Sequence, residues 1–159
     1  MPHEFLNSVT HFVKDPQVSW DAELAKDIPG NSGRAEEVLA YAPDLVFAGR
    51  FNARSTVSLL RGVGIQVVEL DHPESIDDVF RLIRLVGNET GNLARAERLF
   101  ELLKKPKLPE VPKVLAAVYQ PNGFTTGKQS LVDDVLRLAG VANAAAQRGL
   151  ASYANYPME

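Results

Sequence analysis

The feature that most limits how this chain can fold is a repeated pattern, in which a short apolar run is followed by a polar loop and then by an amphipathic segment. Leu45 to Ala48 is an uninterrupted apolar run after Pro43, which is typical of a strand buried on both faces of a parallel sheet. Residues 65–70 and 113–119 are predicted to form two further strands. Because strands that alternate with helices favour right-handed crossovers, the sequence predicts an α/β fold with a parallel sheet.

Apolar positions repeated every three or four residues predict five helices. Asn31 or Ser32 is expected to cap the first helix, and Ser75 and Ser130 open capping-box-like starts of two others. Residues 1–32 are irregular, and residues 141–159 are not expected to complete another strand and helix pair. The predicted helices cover residues 33–42, 53–61, 75–86, 92–105 and 130–139.

Composition excludes several classes of function. The net charge is -3 and the pI is about 5.6, so no basic field attracts nucleic acid or an anionic membrane. The chain has no cysteine, which excludes disulfides, thiolate zinc sites and cysteine nucleophiles. Its histidines, His3, His11 and His72, are too scattered to predict a metal site. No nucleophile elbow or paired-carboxylate motif occurs, so the sequence predicts a protein that is not an enzyme.

Two strand ends carry side chains that could contact a ligand, because ligands of α/β proteins sit beyond the carboxyl ends of strands. Arg50, Phe51 and Asn52 follow the first run, Tyr119 ends the run at 113–119, and Phe124 lies in the loop after it. Arginine can pair with an anionic group, and aromatic rings offer flat apolar faces. The alternative is structural, with Phe124 packed into its own lobe and Arg50 solvated over the loop.

The loop at residues 123–128 lies between a strand and a helix, where a phosphate-binding loop would lie. That loop requires two glycines with four residues between them, followed by lysine and a hydroxyl residue, and the spacing between Gly123 and Gly127 is one residue short. Here Asn122 occupies the place of the first glycine and Gln129 replaces the hydroxyl. A nucleotide-binding α/β enzyme that uses the 123–128 loop is therefore the alternative interpretation of this chain.

Three stretches resemble the first lobe of ABC-transporter substrate-binding proteins for vitamin B12 and ferric siderophores. They are Glu-Glu-Val-Leu-Ala-Tyr-Ala-Pro-Asp-Leu-Val at 36–46, Gly-Ile-Gln-Val-Val at 64–68, and Ser-Ile-Asp-Asp-Val at 75–79. Phe-Thr-Thr-Gly-Lys-Gln-Ser at 124–130, followed by Leu-Arg-Leu-Ala-Gly at 136–140 and Asn143, resembles the start of their second lobe. The resemblance covers about residues 9–159.

This resemblance implies two Rossmann-like lobes joined by a long helix, with the ligand held between the lobes. Residues 1–90 would be the first α/β lobe, 91–112 the connecting helix and proline-rich connector, and 113–159 a partial second lobe. The bound molecule would be a metal chelate (cobalamin, a ferric siderophore or haem) that is delivered to an ABC permease in the membrane. The implied location is periplasmic or on the cell surface, with no catalysis and no resident cofactor.

The resemblance also implies roles for individual residues. Arg50 and Phe51 match the first-lobe loop that faces the ligand, Phe124 matches an aromatic contact from the second lobe, and Asn31 falls near another contact. Glu36 and Glu159 match the surface glutamates that dock on the permease. An acid in the first turn of a helix is the structural alternative for Glu36.

Three features of that family are missing from this sequence: an export signal, a first strand and helix unit, and most of the second lobe. We therefore expect the chain to be truncated at both ends. Two strands in the first lobe and one in the second would make marginal sheets. An incomplete second lobe would expose apolar surface, which predicts a homodimer, domain swapping or poor solubility.

Overall fold

A computed structural model of the protein describes residues 5–50, 54–103 and 114–156. The chain divides into two compact units, Met1–His72 and Pro73–Glu159. Both units are mixed α/β, as predicted. The expected three-part division at residues 90 and 112 stays a prediction.

The first unit is built around one pair of parallel strands, β3 and β4. The two strands run in register from Leu45 opposite Gln66 to Gly49 opposite Leu70. A second parallel pair, β1 and β2, lies in the segment that we expected to be irregular, so the sequence analysis missed both strands. The elements are β1 (Val9–Thr10), a 3-10 helix (His11–Lys14), β2 (Gly30–Asn31), α1 (Ala35–Leu39), β3 (Leu45–Gly49), α2 (Arg54–Gly62) and β4 (Gln66–Leu70).

A small apolar core joins these helices to the strand pair. Val57 and Leu60 are buried on α2, as their spacing predicts. Within β3 only Ala48 is fully buried, so the expectation of burial on both faces is wrong for most of that strand, because the described sheet has two strands rather than many. The core consists of Ala35, Val38, Ala48, Val57, Leu60 and Val67.

The start of α1 also differs from the prediction. Arg34 occupies the N-cap position, and its side chain makes no capping hydrogen bond. Instead, the Ser32 N–H donates to the Glu37 carboxylate over 2.6 Å. Neither Asn31 nor Ser32 caps the helix, because the chain continues for two residues beyond Ser32 before helical geometry begins.

The second unit contains two strand pairs. β5 and β7 are parallel, whereas β6 and β8 are antiparallel. The strand predicted at 113–119 is shorter than expected. The tail forms two short strands and a short helix, so the predictions for the tail and for a single strand were wrong. The elements are α3 (Ile76–Glu89), α4 (Leu93–Leu103), β5 (Val114–Ala116), a 3-10 turn (Pro121–Gly123), β6 (Phe124–Thr125), α5 (Leu131–Leu138), β7 (Val141–Asn143), α6 (Ala144–Gln147) and β8 (Ala154–Asn155).

The helices α3 and α5 begin where the sequence predicts. Ser75 Oγ accepts the Asp78 N–H over 3.1 Å, and Ser130 Oγ accepts the Asp133 N–H over 3.1 Å. Both contacts satisfy N-terminal amides that have no partner within their own helix. The capping predictions for these two helices are confirmed.

The α3–α4 hairpin is held by close packing and an aromatic pair. A Cβ at Gly87 would lie 2.5 Å from Ala96 Cβ, so glycine permits the helices to approach. Phe80 and Phe100 meet edge to face with ring centroids 4.6 Å apart, and Arg84 lies 4.5 Å above the Phe100 ring. Within the described parts of the chain, no helix is both long enough and apolar enough to cross a bilayer.

Candidate ligand-binding loops

Arg50 lies immediately beyond β3, at the carboxyl end of the first unit's main strand pair. Its N–H donates to Leu70 O over 3.1 Å, which extends the ladder by one residue. Its Nη1 lies 3.5 Å from Asp71 Oδ1, and the two side chains are 69% and 83% exposed. The guanidinium can therefore be reached from solvent, as a ligand contact requires.

Phe51, Asn52 and Glu159 fall outside the described residues, so their predicted roles in ligand binding and permease docking stay predictions.

Tyr119 and Phe124 stand on the two arms of a tight hairpin. Tyr119 bridges Thr125, and the Gln120 N–H donates to Phe124 O over 2.8 Å. Asn122 has a φ of 64° in the turn, a left-handed conformation that asparagine tolerates. Phe124 is 47% exposed and Tyr119 58% exposed.

The pairing of the hairpin separates the two aromatic rings. Side chains alternate between the faces of paired strands, so the residue next to Thr125 lies on the other face from Tyr119. The Tyr119 hydroxyl group lies near Gly123, about 4.0 Å from the position that a Cβ on this glycine would occupy. A single flat ligand would therefore contact Tyr119 or Phe124, but would not stack on both.

Two backbone donors of the loop that resembles a phosphate-binding loop are already paired within the protein. Gly127 N–H donates to Ala151 O over 2.9 Å, and Lys128 N–H donates to Leu150 O over 2.9 Å. Ser130 Oγ donates to Gly127 O over 2.8 Å. Since a phosphate loop needs free N–H groups that point at the anion, this geometry argues against the nucleotide-binding alternative.

Asn31 is buried and occupied by structural contacts. It is 7% exposed, its Nδ2 donates to Ser8 Oγ over 3.0 Å, and its Oδ1 accepts the Gly33 N–H over 3.0 Å. Its side chain thus ties β2 to the preceding segment. A ligand contact from Asn31 stays a prediction, and its local contacts do not support it.

Asn143 is a second buried amide, and it was predicted only as part of the family resemblance, without a role of its own. Its Nδ2 donates to Thr126 O over 2.9 Å and to Asp133 Oδ1 over 3.0 Å, and its Oδ1 accepts the Ala145 N–H over 3.1 Å. One side chain thus joins β7, α5 and the loop after Phe124. Its position directly before the Ala144–Gln147 helix is a recognisable N-cap signal.

Glu36 lies in the first turn of α1 and is exposed. Its neighbour Glu37 accepts the Ser32 N–H, whereas no ion pair is found for Glu36 among the described residues. A carboxylate in this position is favoured by the helix dipole and is available to an external cation.

Among the described residues, no group of three or more histidine, aspartate or glutamate side chains is arranged to hold a metal ion.

Short strand pairs and helices in both units define an α/β protein, and an exposed arginine and exposed aromatic side chains lie near its strand ends. The match to known families is more specific. This chain belongs to the periplasmic binding protein family, whose sequence profile matches residues 4–159.

Individual relatives agree with this assignment. An uncharacterised ABC transporter substrate-binding lipoprotein, YvrC of Bacillus subtilis, is 25% identical over 71% of this chain and 41% of its own length. A cobalamin-binding protein of Halobacterium salinarum is 29% identical over 77% of this chain and 35% of its own length. The chain thus spans well under half the length of these relatives.

A solved structure confirms the fold. The periplasmic haem-binding protein HutB of Vibrio cholerae superposes with a TM-score of 0.76 at 20% identity, over 96% of this chain and 62% of that chain. At that identity the likeness shows the fold alone.

Proposed function

We propose that this chain is part of the substrate-binding component of an ABC importer, and that it captures a metal chelate for delivery to the permease. The proposed ligand is cobalamin, a ferric siderophore or haem. The observation that carries this proposal is the family match across residues 4–159. The names of the relatives, a cobalamin-binding protein and a haem-binding protein among them, support the ligand class.

Two exposed side chains are proposed to contact the chelate. Phe124, on the hairpin of the second unit, offers a half-exposed ring that can stack on a flat macrocycle. Arg50, at the strand end of the first unit, offers a fork of N–H donors to peripheral oxygen atoms. Phe51 and Asn52 are proposed as further contacts, and Tyr119 is proposed as the alternative to Phe124.

Permease docking is proposed for Glu36 and Glu159. Members of this family work with a membrane permease outside the cytoplasm, so the proposed location is periplasmic or on the cell surface. Binding and release require no bond to be made or broken, in keeping with a family of transport proteins rather than enzymes. The homodimer is also proposed: β5 carries Val114 and Leu115 half-exposed, and apolar strands of this kind favour self-association.

The test is a set of titrations of the 159-residue chain with cyanocobalamin, haemin, a ferric hydroxamate siderophore and Mg-ATP, followed by calorimetry and absorbance. We expect one chelate to bind saturably, and Phe124→Ala to weaken that binding about tenfold because a stacking contact is lost. Trp20→Ala is the matched control, since Trp20 is a fully exposed aromatic residue outside the proposed contacts.

Failure of every chelate to bind would contradict the proposed ligand class. Binding of Mg-ATP alone would instead favour the nucleotide-binding alternative. Equal losses in Phe124→Ala and Trp20→Ala would remove the assignment of Phe124 while leaving chelate binding intact.

A further inference from the structure

The parallel register places two opposite charges side by side at the carboxyl end of β3 and β4. Gly49 is paired with Leu70, so the next residues along the two strands, Arg50 and Asp71, emerge as neighbours. Their charged groups lie 3.5 Å apart. Arg50 was a predicted ligand contact and Asp71 was not, because the two are distant in the chain.

This ion pair contributes little to the stability of the fold. Both side chains are more than two-thirds exposed, and exposed pairs are worth about 0–1 kcal/mol. The main stabilising contacts of this unit are its apolar core and the backbone ladder. Arg50 can therefore leave Asp71 for a ligand group at a small cost in free energy. Asp71 remains nearby when it does.

The effect of Asp71 on binding depends on the charge of the ligand group that approaches Arg50. A ligand carboxylate on the Arg50 guanidinium would lie within a few ångström of the Asp71 carboxylate, and the two like charges would repel. A neutral amide or carbonyl oxygen would accept the same N–H groups without that repulsion.

We propose that Asp71 is a specificity-determining residue that favours chelates with neutral amide or carbonyl groups at this strand end over chelates with free carboxylates. This inference rests on the proposed function and narrows its substrate class. Asp71 acts through Arg50, as the charge that competes with an anionic ligand group for the guanidinium.

The test compares the affinities of the wild-type chain and of Asp71→Asn for two probes, haemin, which carries two carboxylates, and cyanocobalamin, whose periphery carries amides. Removing one unit charge at about 5–6 Å in a solvated site should strengthen haemin binding by about three- to tenfold. The affinity for cyanocobalamin should stay within about twofold, and the gain for haemin should shrink at high salt, because salt screens exposed charges.

Glu69→Gln is the matched control. It removes the same charge two residues earlier, where Glu69 Oε1 pairs with Arg61 Nη2 over 2.9 Å. A gain for haemin in Asp71→Asn without a gain in Glu69→Gln supports the inference. Equal gains in both variants, or a gain for both probes, would overturn it and leave chelate binding standing. If neither probe nor any other chelate binds to the wild-type chain, the proposed function fails and the inference fails with it.

Discussion

At the scale of the residue, Gly127 is a position where the structure leaves no room for a side chain. A Cβ at this position would lie 2.2 Å from Leu150 O and 2.5 Å from Ala151 O. Both are backbone atoms, and both accept hydrogen bonds from residues 127 and 128. A side chain could therefore be accommodated only if the two backbone segments moved apart.

We expect Gly127→Ala to lower the free energy of unfolding by about 2–4 kcal/mol, because it both clashes and breaks two backbone hydrogen bonds. The measurement is urea denaturation followed by circular dichroism. Gly62→Ala is the control: a Cβ at Gly62, in the last turn of α2, meets no atom within 4 Å. Gly62→Ala should change stability by less than about 1 kcal/mol. Equal effects of the two substitutions would show that the loop can relax.

At the scale of the element, α5 helps to hold the start of α3. The Ile76 N–H, in the first turn of α3, donates to Asp134 Oδ2 over 2.9 Å. This hydrogen bond lowers the pKa of Asp134, and the ion pair with Arg137 adds to the effect while partial burial opposes it. A carboxylate on one helix thus caps another helix that lies 58 residues earlier in the chain.

Loss of this contact should destabilise the second unit in a pH-dependent way. We expect Asp134→Ala to cost about 1 kcal/mol of unfolding free energy at pH 7, the usual value of a lost cap. Because the folded-state pKa is depressed, the contribution of the carboxylate is full above the unfolded-state value, near pH 4, and is lost as pH falls through the folded-state pKa. The difference in unfolding free energy between wild type and Asp134→Ala, measured by urea denaturation, should therefore be smaller at pH 3 than at pH 7.

Asp77→Ala provides the comparison for that prediction. Asp77 lies in the first turn of α3 and is exposed, so its removal changes only the interaction with the helix dipole, worth about 0.3–1 kcal/mol. A cost for Asp134→Ala that does not change with pH would contradict a role for its ionised form.

At the scale of the whole molecule, the proposed transport function needs a docking residue that plays no part in ligand binding. Glu36 is exposed in the first turn of α1, outside the proposed contacts. We expect Glu36→Gln to reduce uptake of the bound chelate by cells that carry the permease severalfold, because one interfacial charge pair is lost. Chelate affinity measured by titration should be unchanged.

Glu23→Gln is the control for that experiment. Glu23 is an exposed acid in the same unit, paired only with Lys26 among the described residues. Its substitution should leave uptake at the wild-type level. Reduced chelate affinity in Glu36→Gln would place Glu36 at the ligand rather than at the permease.

Much of the fold could be predicted from sequence because its signals are local. Pro43 and the apolar run after it predicted the strand at Leu45–Gly49, and Ser75 and Ser130 predicted two helix starts through contacts three residues away. The family resemblance was likewise carried by short ordered motifs, and the family match confirms it. Local patterns failed to predict strands of only two or three residues, as in β1, β2 and β7. A strand that short shows no alternation of apolar and polar residues.

The sequence alone determined the α/β class, the principal helices and the family, since each of these depends on residue spacing along the chain. The tertiary structure decided what the candidate residues can do. It placed Asp71 beside Arg50, turned Tyr119 and Phe124 to different faces, buried Asn31 in structural contacts, and paired the amides of Gly127 and Lys128 with backbone carbonyls. The physical reason is that charge pairing, exposure and free hydrogen-bond donors depend on neighbours in space, and strand pairing brings together residues whose separation in the chain carries no signal of their contact.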